Sequence, residues 1–321
     1  RIDEVNTPPT STIYKGAVWS FTTEPVAYLV SGQTITVTAS SAEAGQGPEN
    51  TINASGLTND LHSNDLTAMW VTAQNATGPT WIQYEFAKLI RLHEMWVWNQ
   101  SGLMEPMLGL GAKEVTIEYS TDGMDFTPLK TTQFARGTGK LDYAHNTTVD
   151  LEGIAVKYVK LTILSNWGNV LPQYGLSEVC FFAVPAYARE ANPASGKTGV
   201  VVDTTLSWRA GREAAQHQIL LGTSAASLAQ AATTSTTSYR PALNLDTTYY
   251  WQVVEVNNTK TPSTWAGDVW NFKTEQFSVV DNFESYTDDM AGGKAIFQAW
   301  EDGYGIAPNG STVGNDPSPF A

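Results

Sequence analysis

The stretch "GPTWIQYEFAKLIRLHEMWVWNQ", residues 78–100, decides the fold class of this chain. Its first half sets apolar Ile82, Tyr84 and Phe86 alternately with Trp81, Gln83 and Glu85. A period of two is typical of a β-strand with one face towards a core. We therefore predict a half-buried strand over "TWIQYEF" (80–86) and apply the same periodicity to the rest of the sequence.

The same period recurs along the chain. It is found in "KEVTIEYS" (113–120) and in "VKYVKLTIL" (156–164), and "STDGMDF" (120–126) between them carries the hairpin signal Asp-Gly. Long helical patterns are nearly absent, and the one helix candidate is the short "SAASLAQAA" at 224–232. These patterns predict an all-β protein.

Composition narrows the class of function. The chain has 321 residues, of which 16% are charged and 11% aromatic, and its net charge is −14. Such an acidic surface repels phosphate backbones, which argues against nucleic-acid binding, and it suits an exported protein with calcium sites. The single cysteine, Cys180, excludes an intrachain disulfide, and no apolar run is long enough to predict a membrane span.

One string occurs twice. "EVNTPPTSTIYKGAVWSFTTE" (4–24) matches "EVNNTKTPSTWAGDVWNFKTE" (255–275) without a gap, at a constant offset of 251 residues. We interpret the string as the last hairpin of a β domain, so residues 1–25 are expected to be only the end of one. Trp19 and Phe21 would then be core or interface anchors. Either a longer protein supplies the missing strands, or the hairpin docks on another subunit.

Breaks in the pattern divide the chain into four segments. They are residues 1–25, 26–183, 184–276 and 277–321. The last begins with "FSVVDNFESYTDD", which resembles the start of jelly-roll modules in large secreted bacterial proteins, most familiarly from planctomycetes. Its 45 residues are too few to bury a sandwich core, so incomplete β domains are predicted at both ends.

Segment 184–276 has the length of one sandwich. It places "TTLSWRA" early, "LNLDTTYYWQVVEVN" late and "DVWNFKTE" at its end. It resembles a fibronectin type III domain, and Leu245 followed by Tyr249 resembles the tyrosine corner of such sandwiches.

Segment 26–183 carries the most specific motifs. They are the "WIQYEF" strand, the "EYSTDGMDF" hairpin, the "KYVKL" strand and the closing "SEVCFF" strand. In this order they resemble the discoidin family, the coagulation factor 5/8 type C domains, whose bacterial relatives include the family 32 carbohydrate-binding modules. The resemblance implies an eight-stranded jelly roll that binds ligands with the loops at one end.

The resemblance also implies a structural calcium ion where the loop after the first strand meets the last strand. Asn53 stands where the family usually has Asp, and the closing glutamate is present as Glu178. Asp60 comes from an insertion and is our own addition to this set. The alternative is that these polar residues only cap turns.

Carbohydrate sites combine a flat aromatic ring with amides, carboxylates or basic groups for the sugar hydroxyls. Loop and strand-end positions supply the candidates His62, Trp98, Asn99, Glu105, Trp167, Gln173 and Tyr174. Trp98 suits a core position as well as a loop position, whereas Trp70, Trp81 and Trp96 suit packing. No basic cluster is evident in these loops, so neutral sugars are favoured over sulfated or uronate-rich ones.

No catalytic site is predicted. The four histidines lack metal-ligand spacing, and no nucleophile elbow, phosphate loop or dinucleotide fingerprint occurs. The leading hypothesis is a non-catalytic, extracellular or cell-surface region that binds a glycan or cell-surface polysaccharide. One alternative is a structural subunit of a surface layer, filament or matrix, with self-association or neighbouring domains completing the two ends. The other is an accessory region of a secreted hydrolase or sulfatase.

Overall fold

The computed structural model describes residues 1–300, and these are built almost entirely from β-strands. This confirms the predicted all-β class. Buried apolar side chains form two separate cores, one within residues 30–183 and one within residues 188–272. Of segment 277–321, residues 301–321 lie outside the described residues.

An N-terminal hairpin of two strands, β1 and β2, precedes the first core. It is followed by twelve strands, one short helix and three 3₁₀ turns. The strands are β1 (Asp3–Val5), β2 (Ile13–Lys15), β3 (Tyr28–Leu29), β4 (Ile35–Ala39), β5 (Leu57–Thr58), β6 (Leu61–His62), β7 (Trp70–Val71), β8 (Thr80–Asn99), β9 (Ala112–Ser120), β10 (Thr127–Gln133), β11 (Tyr143–Ala144), β12 (Thr147–Asp150), β13 (Ala155–Asn166) and β14 (Gly175–Val184). The helix is α1 (Glu105–Leu108), and the 3₁₀ turns are Gly32–Thr34, Pro48–Thr51 and Leu66–Ala68.

Strand β8 is the opening stretch of sequence, and it belongs to both layers of the first core. Its first part pairs with β4 and β13, and its second part pairs with β12 and β14. The buried positions change from even numbers (Ile82, Tyr84, Phe86) to odd numbers (Met95, Val97) along the strand. A register irregularity opposite this change lets one strand turn from one layer into the other.

Trp96 was expected to pack in the core, and the change of phase places it elsewhere. The side chain lies on the outer face of β8, half-buried, and stacks on His145 with ring centroids 4.3 Å apart. The core position expected of Trp70 is confirmed, because that side chain is fully buried. Cys180 is half-buried on β14, and burial raises the pKa of its thiol to about 12, as befits a packing residue rather than a nucleophile.

The second core lies between two further sheets. Their strands are β15 (Arg189–Asn192), β16 (Lys197–Val200), β17 (Leu206–Arg209), β18 (Gln216–Gly222), β19 (Ala229–Thr234), β20 (Ser238–Tyr239), β21 (Thr248–Val256), β22 (Thr264–Ala266) and β23 (Trp270–Thr274). One sheet has the order β15-β17-β20 and the other β16-β23-β21-β18-β19, with β22 also on β21. The last described element is the helix α2 (Ile296–Ala299).

Two details of this sandwich bear on the sequence predictions. The Tyr249 hydroxyl accepts a hydrogen bond of 2.9 Å from the Asn244 amide, the local contact expected of a tyrosine corner. The helix predicted at 224–232 is wrong, because a turn there leads into β19, which pairs with β18. Pairing with a neighbouring strand has overridden the helix propensity of its alanines.

The two cores meet at Arg91, a buried residue of β8. Its guanidinium lies 3.0 Å from the Glu213 carboxylate of the sandwich and donates to the carbonyl oxygens of Gly153 and Thr261. It also lies over the ring of Trp265. A single cation therefore joins a turn of the jelly roll to two loops of the sandwich.

Glu24, at the end of the N-terminal hairpin, makes a second connection to the sandwich. Its carboxylate lies 2.7 Å from Arg189, 2.6 Å from Arg209 and 3.2 Å from Arg212. The hydroxyl of Tyr28 also donates to it. Since β3 pairs with β14, both ends of the jelly roll lie beside the sandwich, and its far loops point away.

Candidate functional site

The far end of the jelly roll is where four strands end or begin together. Strands β8 and β13 end there at Asn99 and Asn166, and β9 and β14 begin there at Ala112 and Gly175. The connecting loops pack closely, since the Gly168 amide donates to the Gly109 oxygen and the Asn64 side chain donates to the Gly139 oxygen. Most of the sugar-contact residues that were expected from the sequence lie on these loops and strand ends.

Asn99 ties two of these loops to the strands. Its amide nitrogen donates to the oxygens of Ala112 (2.7 Å) and Ala135 (2.8 Å), and its amide oxygen accepts from the Gln100 amide. Its own backbone N–H donates to the Tyr143 hydroxyl. The side chain is fully buried and its hydrogen-bonding groups are used within the chain.

Glu105 is a second buried anchor. It accepts from the Gly111 amide at 3.2 Å and lies 3.5 Å from the Arg136 guanidinium. Burial raises the pKa of this carboxyl to about 7, against the opposing effects of the Gly111 amide and Arg136. Glu105 therefore holds the start of β9 and does not face solvent.

Two further candidates shape the loop between β13 and β14. The buried Gln173 donates to the Thr72 oxygen at 3.0 Å, while Tyr174 remains half-buried and packs against the core. Asn166 closes the same loop by donating to the oxygens of Leu171 and Gln173. These bonds fix the loop before any ligand arrives.

Trp98 and His62 are both buried at a small sheet. His62 belongs to β6 of the sheet β11-β6-β5, and the Trp98 indole N–H donates to the Asp60 oxygen, between β5 and β6, at 3.1 Å. The His62 Nδ1 lies 2.8 Å from the Ser63 oxygen, and burial lowers the pKa of this imidazole. A buried ring cannot stack on a sugar, which settles the open question of Trp98 in favour of packing.

Trp167 is the candidate that remains at the surface as a half-buried ring on a loop. Its indole N–H donates to the Phe134 oxygen at 3.1 Å, which fixes the ring's orientation. The Lys113 ammonium lies over the ring, 5.0 Å from its centroid. Asn169, two residues further on, is exposed. An aromatic ring and a cation thus adjoin, and an exposed amide follows on the same loop.

The structure therefore separates the predicted sugar-contact residues into two groups. The surface group consists of Trp167 and, half-buried, Tyr174. The supporting group is buried, and direct sugar contact is a wrong assignment for its members His62, Trp98, Asn99, Glu105 and Gln173.

Sequence reasoning missed the two cations of this end, Lys113 and Arg136. The expectation that the loops lack basic residues overlooked that Lys113 begins a strand and Arg136 follows one. Both segments adjoin Trp167 only in the folded chain. Alternation on β9 puts Lys113 in phase with the buried Val115 and Ile117, so the periodicity gave no signal for its place beside Trp167.

An apolar rim surrounds the loop end. Gly102 lies against Leu66 and Gly139 against Pro106, so the loops that bear these side chains are contiguous. The exposed members of the rim are Leu66, Leu103, Met104, Met107, Leu141 and Val170. Contiguous exposed apolar groups mark interaction surfaces.

The predicted calcium ligands lie elsewhere, beside a cavity of about 300 Å³. Glu178 and Asp60 line this cavity together with Ala54. The Glu178 carboxylate is 2% exposed, accepts from the Ala54 amide at 3.1 Å, and has its pKa raised to about 8 by burial. A buried carboxyl without a basic partner is chemically suited to a cation.

Asn53 fits the ion less well. Its side-chain oxygen accepts from the Ser55 amide at 2.8 Å and its amide nitrogen faces Asn50, so it closes its own turn. This is the turn-capping role that the sequence left open. Among residues 1–300, no three carboxylate, histidine or cysteine side chains group as metal ligands. Within the same residues, no helix is long and apolar enough to cross a membrane.

A model of the F5/8 type C domain family matches residues 36–174. A comparison with curated proteins gave no match.

Three solved structures from Clostridium perfringens are similar to the chain. The first is CBM32-3 of a family 31 glycoside hydrolase (16% identity, 48% of this chain and 94% of that one, TM-score 0.39). The second is CpGH89CBM32-5 in complex with GalNAc-β-1,3-galactose (17%, 49% and 100%, TM-score 0.38). The third is the family 32 module of NanJ in complex with galactose (12%, 49% and 99%, TM-score 0.38).

Such identities and TM-scores mark distant similarities, so the assignment rests on the family model. The match contains β8 and its partner strands β12 and β13, and it ends just before β14. Residues 36–174 are therefore similar to F5/8 type C, discoidin-like domains.

Proposed function

We propose that the F5/8 type C domain binds a carbohydrate with its far loops, as a non-catalytic and extracellular part of a modular protein. The observation that carries the proposal is Trp167, a half-exposed ring held in place by its own indole N–H. A fixed ring loses little conformational entropy when a sugar stacks on it. Lys113 and Asn169 beside it supply hydrogen-bond donors for hydroxyl groups.

The buried scaffold supports this role. Asn99, Glu105 and Gln173 hold the three loops around Trp167 through bonds to backbone groups. A binding surface on loops needs such support, because unsupported loops would have to order at the moment of binding. The predicted sugar residues thus keep a place in the site as its framework.

The ligand class follows from the charges. Lys113 is the cation that lies over the Trp167 ring, whereas Arg136 is engaged by Glu105. A single available ammonium favours a neutral sugar of the galactose type, on which it can donate to hydroxyls. Weak binding by one domain would be strengthened where several domains act together.

The sandwich of residues 184–276 is proposed as a fibronectin type III-like spacer. The bond from the Asn244 amide to the Tyr249 hydroxyl supports this assignment. The Arg91 junction would hold the binding domain at a fixed angle to the spacer.

Binding of the whole chain to an array of neutral, uronate-bearing and sulfated glycans tests the proposal. We expect retention by one class of neutral glycan and its competition by the free sugar. Trp19→Ala, which alters an exposed tryptophan outside the domain, should bind equally well. Retention of no glycan by the folded chain would contradict the proposal.

A structural calcium ion is proposed at Glu178 and Asp60, with backbone oxygens of the 53–60 loop completing its ligands. Calcium would stabilise the ionised form of Glu178. We expect calcium to raise the unfolding temperature of the wild type and not of Glu178→Gln. Glu49→Gln, an exposed change in the 3₁₀ turn that precedes this loop, should retain the response. An unchanged response in Glu178→Gln would refute the site.

A structural role in a surface assembly is the second candidate. It is favoured by the segment that follows the N-terminal hairpin, in which Trp19 is 68% exposed and Phe21 is 89% exposed. Apolar groups of this size are normally covered by a partner. Glycan binding and assembly are compatible, and each can be measured without the other.

A further inference from the structure

The N-terminal hairpin is a structural copy of the hairpin that closes the sandwich. The aligned strings 4–24 and 255–275 are identical at 10 of 21 positions. In the first, Asp3, Glu4 and Val5 pair with Lys15, Tyr14 and Ile13. In the second, Val254, Glu255 and Val256 pair with Ala266, Trp265 and Thr264. Every pair is related by the offset of 251, so the register is the same.

The loop between the strands matches as well. The Asn6 amide donates to the Thr12 oxygen at 3.0 Å, and the Asn257 amide donates to the Ser263 oxygen at 2.8 Å. These donors and acceptors are again 251 residues apart. The first copy therefore adopts the hairpin geometry of the second.

The two copies differ in the residues that come after the hairpin. In the second copy the next residues form β23, which lies between β21 and β16. Phe272 on this strand is 0% exposed and stacks on Tyr249, and Trp270 contacts Trp251. In the first copy the equivalent residues 16–24 form no strand, and Phe21 and Trp19 are exposed.

The surroundings of the second copy indicate a partner for the first. The slot between β21 and β16 accepts the pattern Val-Trp-x-Phe-x-Thr-Glu, and residues 18–24 repeat this pattern. Parallel pairing with β16 and antiparallel pairing with β21 would satisfy the backbone groups of an added strand. Burial of Trp19 and Phe21 would supply the driving force.

We propose that residues 17–23, which precede the Glu24 held by the chain's own sandwich, are an interchangeable closing strand, which can take the place of β23 in the sandwich of a second copy of this chain. The contact is heterologous, so repeated exchange would join copies head to tail. In dilute wild type the chain's own β23 prevails, because its attachment gives it a high effective concentration. Exchange becomes dominant when β23 is weakened.

The test weakens β23 in the whole chain by Trp270→Ser with Phe272→Ser, in a Cys180→Ser background. Light scattering should show that the Cys180→Ser chain is monomeric. It should show that the chain with Trp270→Ser and Phe272→Ser associates into dimers and longer chains. Adding Trp19→Ser and Phe21→Ser should abolish the association. A monomeric first variant, or association that survives the added changes, would overturn the proposal.

Crosslinking tests the register of the exchanged strand. Thr248 pairs with Lys273, and the equivalent of Lys273 is Thr22. In the weakened variant, Thr22→Cys with Thr248→Cys should therefore form disulfides between chains. Ser20→Cys with Thr248→Cys is the matched control, and its yield should fall about tenfold or more, because Ser20 lies two residues, roughly 7 Å, out of register.

Each outcome of the crosslinking decides the question. Disulfides between chains for Thr22 alone support exchange in the proposed register. Disulfides within one chain would show that the strand folds back on its own sandwich, and equal yields for Ser20 and Thr22 would show nonspecific association. Either of these results excludes the proposed partner.

Discussion

At the scale of single residues, the far loops depend on side chains that no ligand touches. Asn99 and Glu105 use their polar groups on backbone amides and carbonyls of neighbouring loops. Buried polar groups that are fully bonded rigidify their surroundings. The loops around the half-buried ring of Trp167 are therefore held by residues that resemble sugar ligands in type but are buried.

Glu105 should impose a pH dependence on stability. Its pKa is about 7 in the folded chain because it is buried, which is higher than the usual value in an unfolded chain. Below the unfolded pKa both states hold the proton, so the effect is absent. As pH rises towards 7, the unfolded state loses its proton first and stability falls, by at most about 1.4 kcal/mol per pH unit.

Replacing Glu105 by Gln should remove this slope. Urea unfolding between pH 5 and pH 8 should show the variant gaining relative to the wild type up to about pH 7, then keeping a constant difference. Glu49→Gln, at an exposed site, should leave the slope as it is. A variant with the wild-type slope would show that Glu105 is ionised in the folded chain throughout this range.

The sequence could identify these residues but not their depth. The type and loop position of His62, Trp98 and Glu105 suited a sugar site equally well. Their burial arises from the β5, β6 and β11 sheet and from α1, which are too short to produce a periodic pattern. Trp167 was correctly placed on a loop because its neighbours Asn166, Gly168 and Asn169 are turn-forming residues.

At the scale of elements, periodicity was a sound guide to strands and a poor one to where a strand changes layer. It predicted a strand over residues 80–86, the first part of β8, and the inward positions of Ile82 and Tyr84, which are buried. It could not locate the shift of phase before Met95. That shift is dictated by partner strands β12 and β14, which lie far away in sequence.

The two copies of the hairpin allow a matched comparison of one residue in two settings. Phe272→Ala should destabilise the sandwich by about 3–5 kcal/mol, because it empties a packed core position. Phe21→Ala should change stability by less than about 0.5 kcal/mol, because the side chain is exposed. Chemical denaturation followed by the fluorescence of the sandwich tryptophans measures both. Equal losses would mean that Phe21 is packed in solution.

At the scale of the whole molecule, the jelly roll and the sandwich are joined by a small set of polar contacts of unequal strength. Arg91 binds Glu213 and two carbonyl oxygens, Lys88 pairs with Asp268, and the Tyr187 hydroxyl donates to the Leu89 oxygen. The exposed pair is expected to contribute little, whereas the buried guanidinium organises three segments.

Arg91→Ala should therefore uncouple the domains. Removing the guanidinium leaves the Gly153 and Thr261 oxygens without their donor, at a cost of about 1–3 kcal/mol. Calorimetry should show the unfolding of the two domains separating, with the jelly roll less stable. Lys88→Ala, at the exposed pair, should resemble the wild type. A single unchanged transition in Arg91→Ala would show that the junction does not depend on this residue.

The proposed function rests most directly on the ring of Trp167. Titration calorimetry of wild type, Trp167→Ala and Trp19→Ala with a glycan retained on the array measures its contribution. We predict that Trp167→Ala weakens binding at least about tenfold, about 1.4 kcal/mol, with the fold intact by circular dichroism. Trp19→Ala should bind as the wild type does. Equal affinity of Trp167→Ala and wild type would contradict carbohydrate binding at this surface.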